Sequence, residues 1–133
     1  FLGICLGMQI LMDASFEFGE HRGFGLIPGR VIRFPEDFPA RGFKIPHMGW
    51  NDARALEPAH PVLATLNGRQ VYYVHSYHCV PEEPRHLLAE CDYGGLRFAA
   101  AVGCDNILGV QFHPEKSQRA GLALLEAFVR WKP

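Results

Sequence analysis

The chain opens on an apolar run, Phe1-Leu2-Gly3-Ile4, that reads as a buried strand. After Cys5 the period changes. Met8, Leu11, Met12 and Phe16 fall at i, i+3, i+4 and i+8, which predicts one apolar helical face packed on a core. Gly19, Gly23 and Gly25 then break the chain. Pro28-Gly29 marks a turn before a short strand at Val31-Ile32-Arg33-Phe34, and Pro35 to Arg41 reads as a loop. Phe43-Lys44-Ile45-Pro46 has the look of a strand stopped by proline, and His47-Met48-Gly49-Trp50-Asn51 that of a loop. A helical turn is expected at Val62 to Leu66. The densest strand signature runs from Gln70 to Val80, with Val71-Tyr72-Tyr73-Val74-His75-Ser76-Tyr77 at its centre. Leu87 to Cys91 and Arg97 to Val102 read as strands separated by a Gly94-Gly95 turn. Ile107 to Gln111 is a last apolar strand, ended by Pro114. Ser117 is placed to cap a final helix whose inward face is predicted to be Leu122, Leu125, Phe128 and Val129. Strand, helix, many short strands, helix: this order suits an α/β domain with an antiparallel sheet extension.

Composition narrows the class. The 133 residues amount to one domain, and 48% hydrophobic with 20% charged residues argues for a packed globule. Thirteen basic against 14 acidic residues leaves a net charge of −1, so no positive field exists to hold a nucleic acid. No apolar run approaches the ~18 residues of a membrane span, and no secretory signal is visible. The four cysteines, Cys5, Cys79, Cys91 and Cys104, form no C-x-x-C pair. Reduced thiols in a cytoplasmic protein, without structural zinc, are the expectation. His75 and His78, three apart on one strand, would face opposite ways and make poor joint ligands. A chain that starts inside a strand, and not at Met, is expected to have further sequence before Phe1.

Gly3-Ile4-Cys5-Leu6-Gly7 has the form G-x-C-x-G. A nucleophile on a sharp strand-to-helix turn is exposed on a strained backbone. Side chains two residues to either side would clash with the neighbouring strand, so glycines suit those places. The thiol would sit at a helix N-terminus, which lowers its pKa. The backbone N–H of Leu6 would face an oxyanion formed on an attacked carbonyl. These five residues alone fit a small packing cysteine as well as a nucleophile. A thiol nucleophile needs a base, and the base needs an orienting carboxylate. Phe112-His113-Pro114-Glu115 offers both, because His and Glu two apart at a strand end project to one side. Of the seven histidines only His113 has that combination.

Gly3-Ile4-Cys5-Leu6-Gly7-Met8-Gln9 together with Gln111-Phe112-His113-Pro114-Glu115 resembles the class I (triad) glutamine amidotransferases. The resemblance implies their flavodoxin-like α/β sheet, with its first strands and a glycine-rich oxyanion loop preceding Phe1. Residues 1–133 would then be the C-terminal portion of one amidotransferase domain, inactive by itself. It implies Cys5, His113 and Glu115 as the triad, Leu6 N–H as oxyanion donor, and Gln9, Ser76 and Tyr77 around the glutamine. Pro46-His47-Met48-Gly49-Trp50-Asn51, Tyr73-Val74-His75-Ser76-Tyr77 and His113-Pro114-Glu115-Lys116-Ser117 are similar to the glutaminase subunits of imidazole glycerol phosphate synthases, in histidine biosynthesis. Those subunits pass ammonia to a (β/α)₈-barrel cyclase, which makes imidazole glycerol phosphate and aminoimidazole carboxamide ribotide. Met48, Trp50, Asn51 and Lys116 resemble positions on the docking face. No metal or organic cofactor is implied. The alternatives are the glutaminase of another class I enzyme, such as that of pyridoxal phosphate synthesis, a non-catalytic relative, and a cysteine peptidase on a similar fold.

Overall fold

A computed structural model describes all residues, 1–133. Its spine is a five-stranded sheet, ordered β1 (Leu2–Ile4), β11 (Ile107–Val110), β10 (Leu96–Cys104), β9 (Leu87–Tyr93) and β6 (Arg54–Ala55). β1 runs parallel to β11, with Leu2 opposite Leu108 and Ile4 opposite Val110; the remaining pairs are antiparallel. A second sheet orders β3 (His21–Arg22), β2 (Ala14–Ser15), β4 (Gly29–Arg33) and β8 (Tyr77–Pro81). A ribbon pairs β5 (His47–Asp52) with β7 (Gln70–His75). The strand β10 is apolar on both faces. Phe98 and Ala100 enter the larger core with Phe34, Tyr73, Phe112 and Leu124, while Ala99 and Val102 enter a smaller one with Met8, Leu11 and Met12. A near-continuous apolar run is what a strand covered on both sides requires. The α/β class and the antiparallel extension are as the sequence pattern predicts.

Several local expectations are overturned. The helix after Cys5 is a single turn, α1 (Leu6–Gln9). Met8, Leu11 and Met12 are buried as expected, but Phe16 is exposed. The carbonyls of Ile10, Leu11 and Met12 are taken by the N–H groups of Phe24, Ile27 and Gly25, and Asp13 N–H goes to Gly29 O. The loop over residues 23–27 thus captures the backbone that a longer helix would need. Phe43 to Pro46 is not a strand; the strand is His47 to Asp52, paired with β7 from His47–His75 to Asp52–Gln70. Its alternation is inverted, with His47 buried and Met48 and Trp50 outside, so it does not show the usual apolar-in pattern. Gln70 to Val80 is two strands, broken at Ser76, each in a different sheet. That break puts His75 and His78 in one core rather than on opposite faces; both rings lie 5.1 Å from Phe34.

The final helix α2 (Gln118–Arg130) buries Ala120, Gly121 and Leu124, whereas Leu122 and Val129 are exposed. Gly121 sets this face: a Cβ there would lie 1.7 Å from Pro114 O. Ser117 sits at the cap position but makes no side-chain cap bond. Its hydroxyl donates instead to His113 O at 2.7 Å and accepts from Tyr72 N–H at 3.0 Å.

Burial holds His47 down to about 4 and His75 down to about 3, so both imidazoles are neutral in the folded protein. Unfolded, they regain the ordinary value near 6.5 and bind protons more readily. Stability is therefore full above about pH 6.5 and falls as the pH drops toward 3. Urea midpoints at pH 7, 5.5 and 4.5 should fall in that order, and more steeply in the wild type than in a His47→Phe variant.

Candidate active site

Cys5 terminates β1 in a conformation open only to a constrained residue, with φ 54° and ψ −106°. Such strain costs roughly 1–3 kcal/mol and persists where surrounding contacts enforce it. Two contacts do so here. Cys5 N–H donates to Val110 O at 2.8 Å, and Cys5 O accepts from Met8 and Gln9 N–H at 3.0 and 3.2 Å. Of the flanking glycines, Gly3 is demanded by contact: a Cβ there would come within 2.2 Å of Gly7 O. The clash is with the elbow's own turn and not with a neighbouring strand. A Cβ at Gly7 would meet open space.

The thiol reaches Val74 O at 3.9 Å and receives the Gln111 side-chain amide at 3.7 Å. Its pKa is raised, contrary to the expectation from a helix N-terminus. Burial dominates; the Leu6 N–H and Gln111 pull it back, while the Glu115 and Glu17 carboxylates push it further up. A single helical turn contributes too little dipole to reverse the sign.

Past the same end of the β1–β11 pairing, His113 Nδ1 lies 3.0 Å from Glu115 Oε2. Glu115 accepts, so Nδ1 carries the proton and Nε2 is left as the free base. His113 N–H donates to Tyr72 O at 2.9 Å, which ties it to the β5–β7 ribbon. His113 and Glu115 meet, as their spacing predicts. Cys5 and His113 make no hydrogen bond with each other; the side chain bonded to the thiol is that of Gln111, two residues before His113 and fully buried.

Gln9 is buried, and its amide nitrogen donates to Tyr77 O and to Gln111 Oε1, both at 3.2 Å. The Ser76 and Tyr77 carbonyls are engaged within the fold, Ser76 O by Phe34 N–H and Tyr77 O by Gln9 and His75. A cleft of about 410 Å³ opens beside the elbow, lined by Leu6, Gln9, Ile10, Ser15 and Glu17 among others. Sequence reasoning missed Gln111 and Glu17. Gln111 sits inside a quoted motif and could have been noticed as a polar residue at the buried end of an apolar strand. Glu17 carried no signal, because it follows a segment misread as helix.

Met48 and Trp50 stand on the outer face of β5, with Trp50 against Tyr72 at 6.0 Å between rings. Lys116 is exposed next to the triad candidates. Asn51 points the other way, its amide nitrogen bonded to Asp92 O at 3.2 Å and directed at His47. No group of three His, Cys, Asp or Glu side chains is arranged to hold a metal, and no helix is long and apolar enough to cross a membrane. All four cysteines are free thiols.

The glutamine amidotransferase class-I family model matches residues 1–131. The chain belongs to this family. It is 52% identical over 131 residues to the imidazole glycerol phosphate synthase subunit HisH of Syntrophotalea carbinolica, covering 96% of this chain and 63% of that protein. It is 50% identical to the HisH subunit of Methylococcus capsulatus, covering 100% of this chain and 63% of that one. The amidotransferase chain thus spans about three fifths of the length of these curated relatives. The solved structure of a GMP synthase subunit from Thermoplasma acidophilum superposes with a TM-score of 0.61 at 18% identity, over 97% of this chain and 55% of that one. At that identity the likeness bears on the amidotransferase fold alone.

The two elbow glycines separate cleanly by substitution. Gly3→Ala should lower stability by about 2–3 kcal/mol through overpacking against backbone. Gly7→Ala should be neutral or stabilising by up to ~1 kcal/mol, because it removes a glycine from a helical turn. Urea titration of both variants of the amidotransferase checks this.

Proposed function

We propose that this chain carries the nucleophile and the base of a glutaminase that supplies ammonia for imidazole glycerol phosphate synthesis. The observation that supports it most is the joining of Cys5 on its strained elbow, through Gln111, to the strand that ends in the His113–Glu115 pair. The HisH relatives agree with it at about half identity.

In this reading glutamine lies in the cleft with its side-chain amide over Cys5. The raised thiol pKa means that no preformed thiolate waits there. His113 Nε2 takes the thiol proton as sulfur attacks the amide carbon, after Cys5 turns from Val74 O toward the imidazole. Leu6 N–H faces the oxyanion. His113 returns the proton to the leaving nitrogen, and ammonia departs from a thioester on Cys5. Water, deprotonated by His113, then cleaves the thioester and releases glutamate. Glu115 holds the Nδ1–H tautomer and stabilises the imidazolium while it exists. Glu17 and Gln9 line the cleft, where Glu17 offers a carboxylate to the glutamine ammonium; Ser76 and Tyr77 support the site from behind Gln9, whose amide donates to Tyr77 O.

Ammonia is useful to a synthase only if it avoids water and protonation. The partner is a (β/α)₈-barrel cyclase that receives it directly. The outer face of β5 suits docking: Met48 and Trp50 are large, exposed and adjacent, through Tyr72, to His113. Lys116 belongs to the same rim. Asn51, which points inward, supports this strand instead of touching the partner.

Cys5→Ala in the full-length subunit with its cyclase should leave no measurable glutamate release. His113→Asn should lower kcat by about 10²–10⁴. Persistent turnover in Cys5→Ala would sink the assignment. Trp50→Ala should weaken cyclase binding by about 2 kcal/mol or more, as for an aromatic hot spot, and slow glutamine-dependent synthesis more than ammonia-dependent synthesis. Calorimetry and the two synthase assays measure these effects.

A further inference from the structure

Behind the cleft lies a run of hydrogen bonds whose direction is fixed. Tyr77 O is a carbonyl and can only accept, so His75 Nδ1, 2.8 Å away, carries a proton. A neutral imidazole then has a bare Nε2, and the His47 Nδ1 that lies 3.1 Å from it must donate. His47 Nε2 is left as an acceptor, 3.4 Å from the Asn51 amide nitrogen. The Asn51 amide cannot flip without loss, because its oxygen accepts from Asp52 N–H at 2.8 Å and its nitrogen donates to Asp92 O at 3.2 Å. On the other side, Tyr77 O also accepts from Gln9, whose second amide proton goes to Gln111, which reaches Cys5. Backbone groups at Asp52, Asp92 and Tyr77 thus fix the proton on every nitrogen between Asn51 and the thiol site.

The rings have little freedom to escape this order. His47 is stacked between Tyr93 and Tyr73, with centroids 4.0 and 5.0 Å away. His75 packs on Phe98 at 4.9 Å and Phe34 at 5.1 Å. Both histidines are buried, at 4% and 6% exposure. Neither the aromatic packing nor the apolar core requires an imidazole at position 47; a phenyl ring would serve the packing. What an imidazole adds is the donor at Nδ1.

We propose that His47 is a positioning residue for the thiol site: its Nδ1–H anchors the His75 ring through Nε2, and His75 Nδ1–H in turn holds Tyr77 O, Gln9 and Gln111 in register with Cys5. Without that donor, His75 Nε2 would be a buried unpaired acceptor. The other tautomer gives no relief, because it loses the bond to Tyr77 O and leaves Nε2–H unpaired; the ring shifts instead, and the Tyr77 carbonyl bonded to it shifts too. Gln9, bonded to the same carbonyl, follows. The effect on turnover rests on the glutaminase reading; the effect on the His75 ring and on the thiol does not.

The test uses the full-length subunit, with its cyclase for the turnover assay. His47→Phe keeps the ring and loses the donor; His47→Asn restores a donor near the Nδ1 position. Three quantities are read: the ¹⁵N shifts of the His75 ring nitrogens, the rate of Cys5 alkylation by iodoacetamide, and glutamine turnover. His47→Phe should move the His75 Nε2 shift to that of an acceptor with no donor, and change the alkylation rate and kcat by about tenfold each, the usual scale of one buried hydrogen bond. His47→Asn should bring all three back to within about threefold of wild type. A folded His47→Phe with an unchanged His75 Nε2 shift, or with alkylation within about twofold of wild type, overturns the proposal. Should His47→Phe not fold, the wild-type spectrum decides: Nδ1–H on both rings supports the relay, and Nε2–H or a charged ring on His75 overturns it. A wild type with no glutamine turnover but the expected tautomers and alkylation response would refute the glutaminase and leave the relay standing.

Discussion

The parallel ladder between β1 and β11 joins residues more than 100 positions apart, and the site exists only where that ladder ends. Leu2, Gly3 and Ile4 run in register with Leu108, Gly109 and Val110, and the next donor, Cys5 N–H, closes on Val110 O. One step beyond, the two chains part: Cys5 turns into its helical elbow, and Gln111 begins the approach to His113. A slip of one residue would turn every side chain of β1 to the other face and carry the thiol away from Gln111. The glycines at Gly3 and Gly109 let α1 sit close over this ladder, with Met8 against Gly109.

Burial shapes the electrostatics around that junction in one direction. It raises the Cys5 thiol, pushes Cys79 and Cys91 up to about 12, and holds His47 and His75 far below the ordinary histidine value. Every one of these groups is therefore kept neutral at pH 7. Charge is confined to the rim, where Glu115 meets His113 and Glu17 lines the cleft. A neutral resting thiol suits the proposed chemistry, in which the proton moves to His113 only when an amide is in place.

The elements that were legible in the sequence are those whose apolar pattern matches their own burial. β1, β9, β10 and β11 read correctly because they are apolar in the core that covers them. The elbow was visible because glycine spacing and the strand-to-helix change agree. β5 was hidden because its inward positions are histidine, glycine and asparagine while methionine and tryptophan face out. α1 was overextended because Leu11 and Met12 are buried in the smaller core from a turn beyond the helix. The break at Ser76 leaves no trace in a run of strand-forming residues, since it arises from β7 and β8 joining different sheets. His113 with Glu115 was legible from local spacing alone. Gln111 against Cys5 and the His47–His75 contact depend on tertiary pairing and could not be read from spacing.

The central claim is that Cys5 is the nucleophile. Peptide mapping by mass spectrometry, after exposure of the protein to a glutamine-mimicking electrophile, tests it most directly. The account predicts a single adduct on Cys5, blocked by excess glutamine and slowed in His113→Asn, with Cys79, Cys91 and Cys104 unmodified. An adduct mainly on another cysteine, or labelling of Cys5 indifferent to both glutamine and His113, would contradict it.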